Sequence, residues 1–166
     1  MVRSLVIKII LIYSLLGTTA TSWGFTLGKE TGQEELPVYV SSDEMVANQK
    51  EGKIVFSGNV VTKRGDMIIN SDKLDILNHE KGKSVIIASG HVKMNQGNRA
   101  AEAEIAEFYE AEQKVILKGN PVIQEEGRII KGSEMTFYIN DDKSLVKGDK
   151  QNRVNVTLYP KKSQKE

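Results

Sequence analysis

The chain has 166 residues, a net charge of +1 and no cysteine, and its residues are 39% hydrophobic, 27% charged and only 6% aromatic. That length suits one domain rather than two, and the composition suits a folded, soluble protein. Near-neutral charge removes any electrostatic basis for gripping nucleic acid, and the missing cysteine excludes disulfides and anchoring through an N-terminal lipidated cysteine.

Arg3 and Lys8, the mostly apolar run from Ile9 to Leu16 and the small residues Gly17 to Ala20 read as a secretory signal peptide within residues 1–24. Cleavage after Ala20, with Thr18 and Ala20 as the small pair, fits the rule; cleavage after Gly24, with Ser22, fits nearly as well. Loss of Arg3 and Lys8 takes the net charge from +1 to −1. The apolar stretch falls short of the ~20 residues that cross a bilayer, which favours cleavage over a retained anchor. Residues 25–36 then form a flexible polar leader, 37–160 the folded domain, and 161–166 a disordered tail.

Four segments superimpose within the domain. They start at Val40-Ser41-Ser42-Asp43, Ile69-Asn70-Ser71-Asp72, Ala100-Ala101-Glu102-Ala103 and Ile130-Lys131-Gly132-Ser133, with apolar anchors at Met45, Leu74, Ile105 and Met135. A second landmark, Gly58, Gly90, Gly119 and Gly148, follows in each unit. A period of about 30 residues signals stacked supersecondary units. Alternation is strict around these glycines: Ile54, Phe56, Gly58, Val60; then Ile86, Ala88, Gly90, Val92, Met94; then Val115, Leu117, Gly119, Pro121, Ile123. Such a pattern predicts strands with one buried face, joined by polar turns at Gln49 to Lys53, His79 to Lys83, Ala111 to Lys114 and Asp141 to Lys143. Each unit is a β-hairpin. The Ala- and Glu-rich segment from Ala101 to Glu112 makes a poor helical face and is also expected as strand.

Glycine inside a strand weakens it, so its recurrence predicts a bend, a bulge or a close approach. The Ser-Asp step shifts the alternation as well, from even at Val38 and Val40 to odd at Met45. Both features let a sheet curl around its apolar face.

No catalytic or metal-binding motif and no cofactor signature stands out. His79 and His91 lack ligand-type neighbours and read as solvated surface residues. The pairs Glu34-Glu35, Glu125-Glu126 and Asp141-Asp142 fall in predicted turns or the leader and read as solvated carboxylates. What remains is an inward stripe: Val38, Val40, Met45, Ile54, Phe56, Val60, Met67, Ile69, Leu74, Ile76, Ile86, Val92, Met94, Ile105, Val115, Leu117, Ile130, Met135, Phe137, Ile139 and Val146. Periodicity alone leaves open whether this stripe is a filled core or an open groove.

The stretches Val55 to Ile76 (VFSGNVVTKRGDMIINSDKLDI), Val115 to Phe137 (VILKGNPVIQEEGRIIKGSEMTF) and Asn152 to Pro160 (NRVNVTLYP) resemble the LptA/OstA family of periplasmic lipopolysaccharide-transport proteins. The likeness covers about Val38 to Pro160. It implies an all-β, half-open twisted jelly roll, a V-shaped trough holding the acyl chains of lipid A. It also implies a periplasmic location, head-to-tail self-association, and links to an LptC-like inner-membrane protein and an LptD-like outer-membrane protein. Matching positions place Val38, Val40, Phe56, Met67, Ile69, Leu117, Phe137 and Val156 in the trough. With Val60, Leu74, Ile76, Val92, Met94, Met135 and Ile139 from the stripe, these are the expected lipid-contacting residues. Ala100 to Ala103 is a departure, being less apolar than the other units. Unprotected edges are expected at Pro37 to Ser42 (Val38, Tyr39, Val40) and Arg153 to Tyr159 (Val154, Val156, Leu158). Two other readings stay open: an LptC-like subunit anchored in the inner membrane, and a structural or polysaccharide-binding β module.

Overall fold

The computed structural model describes residues 37–78, 83–141 and 143–159. The expected signal peptide, leader and tail, together with Glu34, Glu35, His79, Asp142 and Pro160, lie outside the described residues. Among the described residues the alternating segments form twelve strands. They are β1 (Tyr39–Ser41), β2 (Glu44–Asn48), β3 (Lys53–Arg64), β4 (Met67–Asn78), β5 (Ser84–Gln96), β6 (Arg99–Tyr109), β7 (Lys114–Lys118), β8 (Val122–Glu125), β9 (Arg128–Lys131), β10 (Glu134–Tyr138), β11 (Lys143–Lys147) and β12 (Asn155–Leu158). The Ala- and Glu-rich segment is β6: Ala101 and Ala103 point inward while Glu102 and Glu104 are exposed, a period of two.

Every pairing is antiparallel, within one sheet that does not close. The plan is a meander of bent strands. Strands β3 to β6 cross the full width, and β1/β2, β7/β8, β9/β10 and β11/β12 are each the two halves of one bent strand. One layer, A, therefore runs β1-β3-β4-β5-β6-β8-β9-β12. The other, layer B, runs β2-β3-β4-β5-β6-β7-β10-β11. The two layers are the walls of a half-open twisted β jelly roll, and each repeat of the sequence supplies two bent strands.

The bend lies where the landmark glycines fall. Gly90 (φ +76°) and His91 (φ +48°) are both left-handed, and together they oppose only Glu104 across β5–β6. Two residues against one is a β-bulge, which kinks its strand. A side chain at Gly90 would overlap the carboxylate of Asp72, so glycine is required there twice over. The same arrangement recurs at Gly58-Asn59 over Asp43 and at Gly119-Asn120 over Glu104. Polar partners tie the corners: Asn59 Nδ2 donates to Asp43 Oδ2 at 2.8 Å, and His91 Nδ1 lies 2.8 Å from Asp72 Oδ2. The last corner differs, because Gly148 opens a loop running to Val154. Asp149 Oδ1 caps that loop by accepting from the Gln151 and Asn152 amides, and Asn152 Nδ2 donates to Asn120 of the neighbouring corner at 2.9 Å.

Candidate functional site

Strand register turns the repeat into continuous rows of inward side chains. In layer B one row runs Met45, Phe56, Leu74, Ala88, Ala106, Leu117, Met135, Val146. The next runs Ala47, Ile54, Ile76, Ile86, Phe108, Val115, Phe137, Ser144. In layer A the matching row is Val40, Thr62, Ile69, Met94, Ala101, Ile123, Ile130, Val156. Both walls are largely aliphatic, and the phenylalanines among the described residues lie in layer B.

The walls meet in the middle of the molecule. Met135 is 0% exposed, Val60 and Val92 1%, and Leu117 2%, so the central interior is a filled core. Open space of about 60 Å³ occurs toward the C-terminal end, between Ile123, Glu125, Arg128 and Ile130 of layer A and Met135, Phe137, Ser144 and Val146 of layer B. A space of that size holds a few non-hydrogen atoms, not an extended ligand.

The structure brings most of the expected trough residues to one face. Val60, Met67, Leu74, Val92, Met94, Leu117, Met135 and Phe137 are buried, and Val40, Phe56, Ile69, Ile76 and Ile139 pack half-buried against them. Val38 is half-buried just ahead of β1, and Val156 is exposed on the last strand. Met45 shares the inward row but is 58% exposed, because β2 is an edge strand. Ile105 is a correction. It pairs with Ser89 and Lys118 on the outer face, and Ala106 takes the inward place, because the corner at Glu104 displaces the alternation by one. Ala101, Ala103, Ala106, Phe108 and Ile123 are inward residues absent from the expected stripe. Ile123 stood at a period-two position after Gly119. The alanines carried too little apolar signal to stand out.

Glu125 is a second correction. It ends β8 on the inner face rather than lying in a solvated turn, and its side chain is 7% exposed. Arg99 Nε lies 2.8 Å from Glu125 Oε1, close but without hydrogen-bond alignment, and Arg128 Nη2 lies 3.4 Å from Glu125 Oε2. These residues belong to an inward polar row at the rim of layer A: Arg64, Met67, Gln96, Arg99, Glu125, Arg128. His91 is exposed, as expected of a surface histidine, but its hydrogen bond to Asp72 raises its pKa above the ordinary value.

The expected edges shorten slightly. The N-terminal edge strand of layer A is Tyr39–Ser41 and its C-terminal counterpart is Asn155–Leu158; Val154 precedes the latter. Tyr39, Val154, Val156 and Leu158 are all exposed.

Residues 39–143 match the family model described as LptA/(LptD N-terminal domain) LPS transport protein. The chain is 28% identical over 170 residues to the lipopolysaccharide export system protein LptA of Escherichia coli K12, a match covering 98% of this chain and 89% of that protein. The LPS-assembly protein LptD of Pseudomonas putida is 32% identical over 68 residues, 41% of this chain and 7% of LptD. Among solved structures, LptH of Pseudomonas aeruginosa superimposes with a TM-score of 0.65 at 16% identity, over 76% of this chain and 97% of LptH. LptH is described as the LptA-homologous periplasmic component of the lipopolysaccharide transport device.

Proposed function

Because the chain belongs to the LptA/(LptD N-terminal domain) family of lipopolysaccharide transport proteins, we propose that it is a periplasmic carrier that shields lipid A acyl chains between its two layers. The observation that carries this reading is the pair of apolar walls ending in an apolar cleft at β8 to β11. Exposing an acyl chain to water costs about 0.8 kcal/mol per CH₂, and an apolar wall on each side offsets most of that. Aliphatic rows make no directional contacts and hold acyl chains loosely enough to release them. Since the middle of the interior is filled, loading starts at the cleft and spreads the walls along the bulged corners, where the ladder is already interrupted.

On this reading residues 1–24 direct secretion and are removed, the β domain works in the periplasm, and no residue is catalytic. Edge strands β1 and β2 at one end, and β11 and β12 at the other, provide unpaired backbone groups for strand addition. Each layer has an even number of strands, so the last strand of one copy and the first of the next are antiparallel in both layers at once. That permits a head-to-tail bridge, ending on an LptC-like partner at the inner membrane and an LptD-like partner at the outer membrane.

The test is site-specific photo-crosslinking in cells. A photoreactive residue at Phe56 or Ile130 is expected to yield adducts with lipopolysaccharide, while one at the exposed, outward Lys93 is not. Equal yields at all three positions, or none from either inward site in a folded protein, would overturn the carrier reading. Deleting residues 152–166 removes β12 and is expected to shift the protein toward monomers at high concentration, read by sedimentation. Unchanged association would discard β12 as the joining edge.

A further inference from the structure

The polar row at the rim of layer A is not explained by acyl-chain burial, yet it sits on the same face and borders the same cleft. Arg99, Glu125 and Arg128 lie on adjacent strands β6, β8 and β9 in direct register. One carboxylate is shared by two guanidiniums, so the triad carries one excess positive charge. Its side chains are largely withdrawn from water: Glu125 is 7% exposed, Arg99 16% and Arg128 31%. A charge in that position is costly unless an anion completes it. Next along the row, Gln96 donates to Asp66 Oδ1 at 3.0 Å, while its own Oε1 is buried without a partner. Asp66 accepts from Gln96, and Glu126, which adjoins Glu125 in sequence, is exposed in the β8–β9 turn.

The cleft is therefore two-faced. Its floor is Ile123, Ile130, Met135 and Phe137, and its rim on layer A is Arg128 over Glu125; the facing edge of layer B supplies only Ser144 and Val146. An amphiphile placed there finds apolar contact below and a cation on one side only. Guanidinium forks match phosphate oxygens two at a time. We propose that Arg99 and Arg128 form a headgroup subsite for a phosphate of a phosphorylated glycolipid whose acyl chains enter the cleft. The subsite fixes which way round the cargo lies, with its phosphate against layer A. This rests on the carrier reading above, and the experiment separates the two.

Equilibrium binding of the secreted chain is measured with phosphorylated lipid A and with the same lipid A fully dephosphorylated. Wild type is expected to prefer the phosphorylated form about tenfold, the scale of one charge-assisted contact. Arg128→Gln leaves the Arg99–Glu125 pair in place and is expected to reduce the preference below about threefold. Arg128→Lys, which keeps the charge, is expected to retain a preference between the two, and circular dichroism confirms that each variant folds. Equal wild-type binding of both lipids overturns the subsite but leaves the carrier. Full preference in folded Arg128→Gln also overturns it. Binding of neither lipid by wild type overturns the carrier reading and the subsite with it. The wild-type comparison decides the matter even if a variant fails to fold.

Discussion

Met135→Ala is expected to lower folding stability by about 2–5 kcal/mol, the range for truncating a fully buried side chain in a core that cannot collapse around the void. Met135 is 0% exposed and lies between Leu117 and Val146 in the long row of layer B, facing layer A. Met45 stands at the other end of that row, at 58% exposure on an edge strand. Met45→Ala is therefore expected to change stability by no more than about 0.5 kcal/mol. Urea denaturation of the two variants against the parent reads both values. Similar losses at the two positions would mean that the row is not a packed core at its centre and a free edge at its end.

A second large effect is expected at the bend. Gly119→Ala puts a methyl into the Cβ and Cγ of Glu104 while forcing a left-handed residue at φ +79°. Backbone strain of about 1–2 kcal/mol adds to an overpacking cost of about 1–3 kcal/mol, so a loss of at least about 2 kcal/mol is expected. Gly97 provides the comparison. It is left-handed too, at φ +57°, but a Cβ there meets nothing within 4 Å. Gly97→Ala is expected to cost the strain alone, about 1–2 kcal/mol. Equal losses at the two glycines, measured by thermal or urea unfolding, would refute the close approach of Glu104 to the bend.

Much of this architecture was legible in the sequence because the repeat was. The glycine landmarks recur in every unit, the Ser-Asp steps mark the facing side of the corner in the first two, and the register shift at Asp43 signals the bend. The third unit strays from the pattern. Unit three places Glu at its corner and Ala on its inward positions, so Ile105 was the most apolar residue available to anchor the alignment, one place away from Ala106. Glu125 was hidden by its setting. A Glu-Glu-Gly step signals a turn, and the turn is there, but its first carboxylate is drawn inward by Arg99 and Arg128 on neighbouring strands. Pairing across strands separated by tens of residues leaves no local mark on a single sequence. The filled centre was equally out of reach, since alternation is the same whether two apolar walls touch or stand apart.

The bent-strand meander also acts as a ruler. Neighbouring strands are set about 4.8 Å apart, so each repeat, contributing two strands, advances the trough by roughly 10 Å without altering its cross-section. Reach and bore are thus independent. A wider gap can be spanned by adding hairpin units to one chain, or whole chains end to end, in fixed increments. Each added unit brings the same width of wall, while its own side chains decide whether the space behind it is filled, as at the centre, or open, as at β8 to β11.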